Sequence, residues 1–332
     1  MLLGGAPRPR AALAAPQDPG SRTHLLIIAG VGGEPRFRDA FHQAAMSMAD
    51  AASKRFALTD SSIVVLTEDP SRAPTRIAGR STRENVEQAV ARIATRARPG
   101  DDIVILLIGH GSQQSGEPRF NLPGPDLTAA DFARLLARLG SRRVAFVNAS
   151  SASGEFIKTL SAPNRVVVTA TKSGFERNET HFPRFFVQAY AADGADTDKD
   201  GRVSILEAFA FARREVARVY ESENRLQTEH ALLDDNGDGV GSAEPDPRGG
   251  DGALARSVFL AGGAPPVGRA TTNDPRLRTL YADKETLERR LDSLRLRKER
   301  TEAAAYEREL EQLLVELARK NQAIREIERR SP

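Results

Sequence analysis

Along the first half of this chain, short runs of consecutive apolar residues alternate with longer stretches in which apolar residues recur at every third or fourth position. The first pattern is that of a strand covered on both faces, and the second that of an amphipathic helix. Residues 23–29 are such a run, ending in the tight loop Gly30-Val31-Gly32-Gly33. Phe37, Phe41, Ala44, Ala45, Met48 and Ala52 then form one apolar stripe, which predicts a helix over 36–55. A second strand is expected at 63–66, and Ser81-Thr82-Arg83-Glu84 has the S-x-x-E form of a capping box that starts a helix reaching about residue 98. Residues 103–108 are apolar throughout and lead into Gly109-His110-Gly111-Ser112. Thr128 can cap a helix through 139, with further strands at 144–147 and 166–171. This alternation implies an α/β fold with a doubly wound, mostly parallel sheet. Ligands of such sheets gather outside the carboxyl ends of the strands, where Gly30, His110 and Asn148-Ala149-Ser150-Ser151 fall.

The pattern changes further on. A helix is expected from 206 to about 223, and residues 261–273 turn rich in Gly, Pro, Ala and Thr, the composition of a linker. Beyond it Leu287, Leu291 and Leu294, then Tyr306, Leu310, Leu313, Leu317 and Ile324, keep three-four spacing among many Arg and Glu residues. The register breaks over 298–305, so the amphipathic tail is either a helical hairpin or one continuous coiled coil. The expected organisation is a leader or signal-peptide remnant at 1–22, an α/β domain at 23–195, a calcium-loop region at 196–260, a linker at 261–274 and the helical tail at 275–332.

Composition narrows the partners. With 332 residues, 40% hydrophobic and 28% charged, the chain can bury a sizeable core. Its net charge of +3 is spread thinly, which argues against nucleic acid as a partner, and no apolar run is long enough for a membrane-spanning helix. Ala12-Leu13-Ala14 resembles a signal-peptidase site without a preceding apolar region; a periplasmic or secreted protein is expected, and otherwise a cytoplasmic one. There is no cysteine, which removes disulfides, thiolate metal sites and thiol nucleophiles together.

Asp196-Thr197-Asp198-Lys199-Asp200-Gly201-Arg202-Val203-Ser204-Ile205-Leu206-Glu207 puts oxygen donors at every ligand position of a twelve-residue EF-hand-like loop. Hard oxygens suit Ca2+: Asp196, Asp198 and Asp200 supply carboxylates, Arg202 its carbonyl, Ser204 a further position, and Glu207 both carboxylate oxygens, while Gly201 permits the turn. A second stretch repeats the opening with Asp234, Asn236, Asp238 and the carbonyl of Val240, but its twelfth position is Pro245. Its closing carboxylate must come from Glu244, from elsewhere, or not at all. A metal-free Gly/Asp turn is the alternative reading.

Four segments together resemble the legumain-type peptidases, whose fold is caspase-like. Gly30-Val31-Gly32-Gly33 followed by Phe37-Arg38 is similar to the family's first-strand loop, where the resemblance makes Arg38 a substrate-pocket arginine. The apolar strand ending in His110-Gly111-Ser112 resembles the catalytic His-Gly-Ser, with the backbone N–H of Gly111 helping to form the oxyanion hole. The strand ending in Ser150-Ser151-Ala152-Ser153-Gly154 resembles the family's Ala-Cys-x-Ser-Gly; alignment on Ser-Gly puts Ser151 at the nucleophile, and counting from the strand end puts Ser150 there. The similarity covers about 23–191.

A hydroxyl is a far weaker nucleophile than a partly ionised thiol and works only with a placed base, itself usually held by a third group. Asp101, Asp102, Asp126 and Asp131 are available as that third group, and their spacing selects none of them. His42 and His181 read as ordinary helix residues and His24 and His230 have no metal-ligand spacing, so all four are structural or exposed, and the Gly30 loop lacks the dinucleotide-binding glycine pattern. The first expectation is therefore a calcium-binding pseudo-peptidase that binds a peptide or protein near Arg38 and His110 and self-associates through its tail. The alternatives are a hydrolase using Ser151 or Ser150 with His110, and a structural calcium-dependent assembly protein.

Overall fold

A computed structural model of the chain describes residues 22–261, 274–296 and 302–328. In chain order the strands are β1 Thr23–Ala29, β2 Ile63–Thr67, β3 Gly79–Arg80, β4 Asp102–Ile108, β5 Gly111–Gln114, β6 Glu117–Phe120, β7 Leu127–Thr128, β8 Arg143–Asn148, β9 Arg165–Thr169 and β10 Leu232–Asp234. The helices are α1 Pro35–Lys54, α2 Arg83–Arg96, α3 Ala129–Ala137, α4 Phe156–Leu160, α5 Phe182–Ala191, α6 Ile205–Ser222, α7 Pro275–Leu296 and α8 Ala303–Glu328.

Seven strands form one sheet in the order β10-β9-β8-β4-β1-β2-β3, parallel at every step except the antiparallel edge pair β9 and β10. The mixed α/β class and the mostly parallel sheet agree with the sequence pattern. In β4, Val104, Leu106 and Ile108 enter the core under α1, α5 and α6, while Ile103, Ile105 and Leu107 enter the core under α2, α3 and α4. Alternate residues of one strand thus fill two different cores, which is why no polar position interrupts 103–108. The chain leaves β1 by α1 on one face and reaches β4 by α2 on the other, so the topological switch lies between β1 and β4. The loops 30–33 and 109–112 emerge there, at the crevice where open α/β sheets bind ligands.

Thr128 caps a helix as its sequence predicts, Ser204 caps one where a cation ligand is expected, and the start of α2 shifts by one residue. Thr128 and Asp131 make the capping box of α3, and Ser204 and Glu207 make that of α6. The cap of α2 is Thr82, one residue later than the S-x-x-E pattern predicts. Ser81 is fully buried, and its hydroxyl donates instead to the carbonyl of Ala29 at 2.6 Å, a tertiary partner that no local pattern reveals. The small antiparallel sheet β5-β6-β7 and the edge strands β3 and β10 have no counterpart in the predicted elements, and His181, expected within a helix, stands at the start of α5.

The helices α7 and α8 pack on each other through Leu287, Leu291, Leu294 and Leu313, flanked by Tyr306, Leu310 and Leu317, and Lys320 reaches Asp283 at 2.6 Å. The expected leader falls outside the described residues but for residue 22, and most of the expected linker lies outside them too. No helix among the described residues is long and apolar enough to cross a membrane.

Candidate functional site

The ends of β4 and β8 are held together by a close backbone approach. A Cβ on Gly111 would lie 2.2 Å from the Ser151 carbonyl and 2.8 Å from the Ser150 hydroxyl, so only glycine fits. The Gly111 N–H donates to Ser151 Oγ at 3.3 Å, and that hydroxyl donates back to the Gly111 carbonyl at 3.4 Å. Ser150 turns inward: its hydroxyl donates to Asn148 Oδ1 at 2.7 Å. Both serines are buried, Ser151 at 3% exposure and Ser150 at 0%.

The turn continues through Ala152, whose φ of 51° lies in the left-handed region. It is locked from behind by the segment after β9. The Ala152 N–H donates to the Glu176 carbonyl at 2.8 Å, the Ser153 N–H to Thr171 Oγ1 at 2.7 Å, and the Thr180 hydroxyl to the Ala149 carbonyl at 3.0 Å. A Cβ on Gly154 would sit 2.2 Å from the backbone of Lys172. Sequence reasoning missed Thr171, Glu176 and Thr180 as supports, because they come from a loop with no motif of its own.

His110 packs against α1. Its ring meets Phe37 edge-on at 4.6 Å and Phe41 at 5.0 Å between centroids, so two residues of the predicted α1 stripe clasp it. Burial lowers its pKa, with the Gly32 backbone and the charges of Glu179 and Glu34 pulling the other way. None of the hydrogen bonds or ion pairs among the described residues joins it to Ser150 or Ser151. The four aspartates considered as orienters are spent elsewhere. Asp101 holds His24 at 3.2 Å, and Asp102 takes Arg143 through both oxygens at 2.7 and 2.9 Å. Asp126 caps the Leu122 N–H, and Asp131 serves Thr128 and Arg83.

Arg38 lies across β1 from these groups. It lines a cavity of about 590 Å³ at the carboxyl ends of β1, β2 and β3 with His42, Thr67, Glu68 and Arg72, and neither His110 nor the serines line it. Glu68 accepts the Gly32 N–H at 3.0 Å, which ties the cavity to the first-strand loop.

The first acidic loop sits between α5 and α6. Oxygens of Asp196, Asp198 and Glu207 all lie within 4.8 Å of one another, the one such group among the described residues. The loop folds as its sequence dictates: Asp196 accepts the N–H groups of Asp200 at 3.1 Å and Gly201 at 2.8 Å, and Gly201 has φ of 84°. Burial, followed by the charges of Asp200, Glu207 and Asp196, pushes Asp198 up to about 6. Glu207 is anchored twice, by Ser204 in the capping box and by Thr197 at 2.9 Å. Asp200 turns from the cluster to Arg202, whose guanidinium binds it at 3.0 and 2.8 Å and covers the Phe259 ring. The donor set fits a hard divalent cation at Asp196, Asp198 and Glu207, with Asp200 and Ser204 engaged elsewhere.

The second loop has a different setting. Asp234 ends edge strand β10, and Leu233 bridges Ser242 across the loop. The two loops do not pair with each other, since Ser204 bridges Phe259 instead. Asn236 Oδ1 accepts the Asp238 N–H at 2.8 Å, and Asp238 accepts the Val240 N–H at 2.7 Å. Glu244 is exposed and pairs with Arg213 of α6 at 2.8 Å.

No protein-family model matches this chain, and no curated protein matches it in sequence. Among solved structures it is similar to caspase-1 from Spodoptera frugiperda, at 11% identity and a TM-score of 0.42, over 70% of this chain and 94% of that one. A likeness of that size carries no weight for family or activity.

Proposed function

We propose that this chain is a calcium-binding pseudo-peptidase of the caspase-like, legumain type, a domain that binds a peptide or protein segment near the β1–β4 crevice without cutting it. The reading rests first on the order in which the chain delivers its glycine-rich loop, its His-Gly-Ser and its Ser-x-Ser-Gly turn to neighbouring strand ends. The observation that carries inactivity is the pairing at the turn. Ser151, 3% exposed, spends its hydroxyl on both backbone groups of Gly111. The same Gly111 N–H would have to serve an oxyanion, and the imidazole that would act as base is clasped by Phe37 and Phe41.

Calcium belongs to this reading as a structural ion. Asp196, Asp198 and Glu207 would hold it, and its charge would relieve the mutual repulsion of those carboxylates. The leucines of α7 and α8 are spent on each other, so copies of the chain would associate through the exposed Leu314 and Val315 of α8.

A serine-directed fluorophosphonate applied to the full chain tests the central claim. No labelling is expected. Stoichiometric labelling that disappears in Ser151→Ala or Ser150→Ala, together with peptide hydrolysis lost in His110→Ala, would establish the serine hydrolase instead. Failure to retain any member of a peptide library would leave the calcium-dependent structural protein as the surviving alternative.

A further inference from the structure

We infer that the second acidic loop holds its own divalent cation and that the carboxylate closing this site is Asp251, not Glu244. The inference deepens the calcium reading above and borrows from it only the choice of ion. Asp234 is 1% exposed, and its Oδ2 accepts no hydrogen bond among the described residues, although the Ser161 hydroxyl beside the carboxyl offsets part of the effect of burial. A buried carboxylate oxygen without a partner is costly, and either a proton or a cation must answer it. Its other oxygen takes the Gly237 N–H at 3.3 Å, which fixes the carboxyl group at the head of the loop.

Asp251, 5% exposed, is folded back over the start of the same loop. Its Oδ1 accepts the N–H groups of Asp235 at 3.0 Å and Asn236 at 3.4 Å. Its Oδ2 accepts none of the hydrogen bonds among the described residues. Asp235 returns the clasp: its two oxygens accept the Gly252 N–H at 2.8 Å and the Ala255 N–H at 2.7 Å, so it pins the 251–255 turn and has no oxygen to spare. The result is a reciprocal lock that presents Asp251, and not Asp235, beside Asp234, Asn236 and Asp238. Burial raises both Asp234 and Asp251, and each also feels the charge of Asp238. Glu244, the carboxylate nearest the expected sequence position, is exposed on Arg213.

The oxygens of Asp234, Asp238 and Asp251 do not all lie within 4.8 Å of one another, in contrast to those of the first loop. Binding must draw Asp238 and Asp251 inward around the fixed Asp234, so this site is the weaker of the two.

Calorimetric titration of the full chain with calcium chloride at neutral pH is the test. The unaltered chain is expected to bind two ions, Asp196→Asn with Glu207→Gln to leave one, and Glu244→Gln to keep both. Asp251→Asn, which retains Oδ1 for the Asp235 and Asn236 amides, should weaken the second site by roughly tenfold or more. Unchanged double binding in Asp251→Asn overturns the inference, as does loss of an ion in Glu244→Gln. A single ion that vanishes with the Asp196 and Glu207 changes also overturns it, because Asp234 is then answered by a proton. A single ion that survives those changes and is lost in Asp251→Asn supports this site and removes the first. Should Asp251→Asn not fold, manganese added to the unaltered chain decides: the Gly237 and Gly252 amide signals must broaden, and sharp signals at saturation refute the site.

Discussion

The serine turn after β8 and the acidic loop before α6 are both dense clusters of polar groups at the ends of regular elements, yet they are energetically opposite. At the turn the three serines and Ala152 are answered by neighbouring groups, Ser150 by Asn148, Ser151 by Gly111, Ser153 by Thr171 and Ala152 by Glu176, and Asn148 Nδ2 alone is left buried without a partner among the described residues of the turn. In the loop, three carboxylates converge and the middle one, Asp198, is pushed up to about 6 by burial and by its neighbours. A cluster that satisfies itself is a scaffold, because each hydrogen bond broken for chemistry must be replaced. A cluster that repels itself gains when a cation arrives. The proposed reading predicts this contrast: a turn whose hydroxyls are already engaged, and a loop whose carboxylates would gain from a cation.

The contrast can be broken most sharply at Gly111. Gly111→Ala should cost on the order of 3 kcal/mol or more, since its Cβ would meet the Ser151 carbonyl at 2.2 Å, and urea unfolding would register it. A near-neutral result would mean that the β4 and β8 ends are not in close contact. Calcium comes next. At a hundred times its dissociation constant it should add about 3 kcal/mol to stability, seen as a higher Tm, and Asp196→Ala with Glu207→Ala should remove most of that gain. An identical Tm with and without the ion would contradict the metal assignment.

A smaller effect follows from pH. The Asp198 carboxyl, held up at about 6, lies above its ordinary value of 3.8. Between these two values the folded chain holds more protons than the unfolded one, so this group lowers metal-free stability as pH rises through the window. Asp198→Asn should flatten that part of the profile, and calcium affinity of the unaltered chain should fall as pH drops through about 6. Calcium affinity that is level across this range would remove Asp198 from the site. The smallest effect is expected at Ser151→Ala, about 1 kcal/mol or less for a lost pair of long hydrogen bonds, with no change in ligand binding. A large loss of peptide retention there would make Ser151 a binding group.

How much of this was legible in the sequence depends on the distance between partners. The apolar run 103–108, the α1 stripe and the Thr128 cap were readable because each depends on neighbours within a turn or a strand, whereas Ser204, expected as a cation ligand, caps α6. The carboxylates of Asp196, Asp198 and Glu207 were readable for the same reason: one loop carries all three. Ser81 was misread as part of a cap because its partner, Ala29, is 52 residues away. Asp251 was missed because it stands beyond the twelve-residue frame, and Phe37 and Phe41 were read as core without the imidazole they clasp.

By itself, then, the sequence determined what short-range chemistry determines: the alternation of strands and helices, the absence of any thiol, and the cluster of carboxylates in one loop. Tertiary structure alone decided which rings His110 packs against, which backbone group occupies the Ser151 hydroxyl, and where Glu244 and Asp251 go. The physical reason is that backbone hydrogen bonding and hydrophobic period are set by adjacent residues, whereas the partner of a buried polar atom is whichever group the packed sheet brings within about 3 Å.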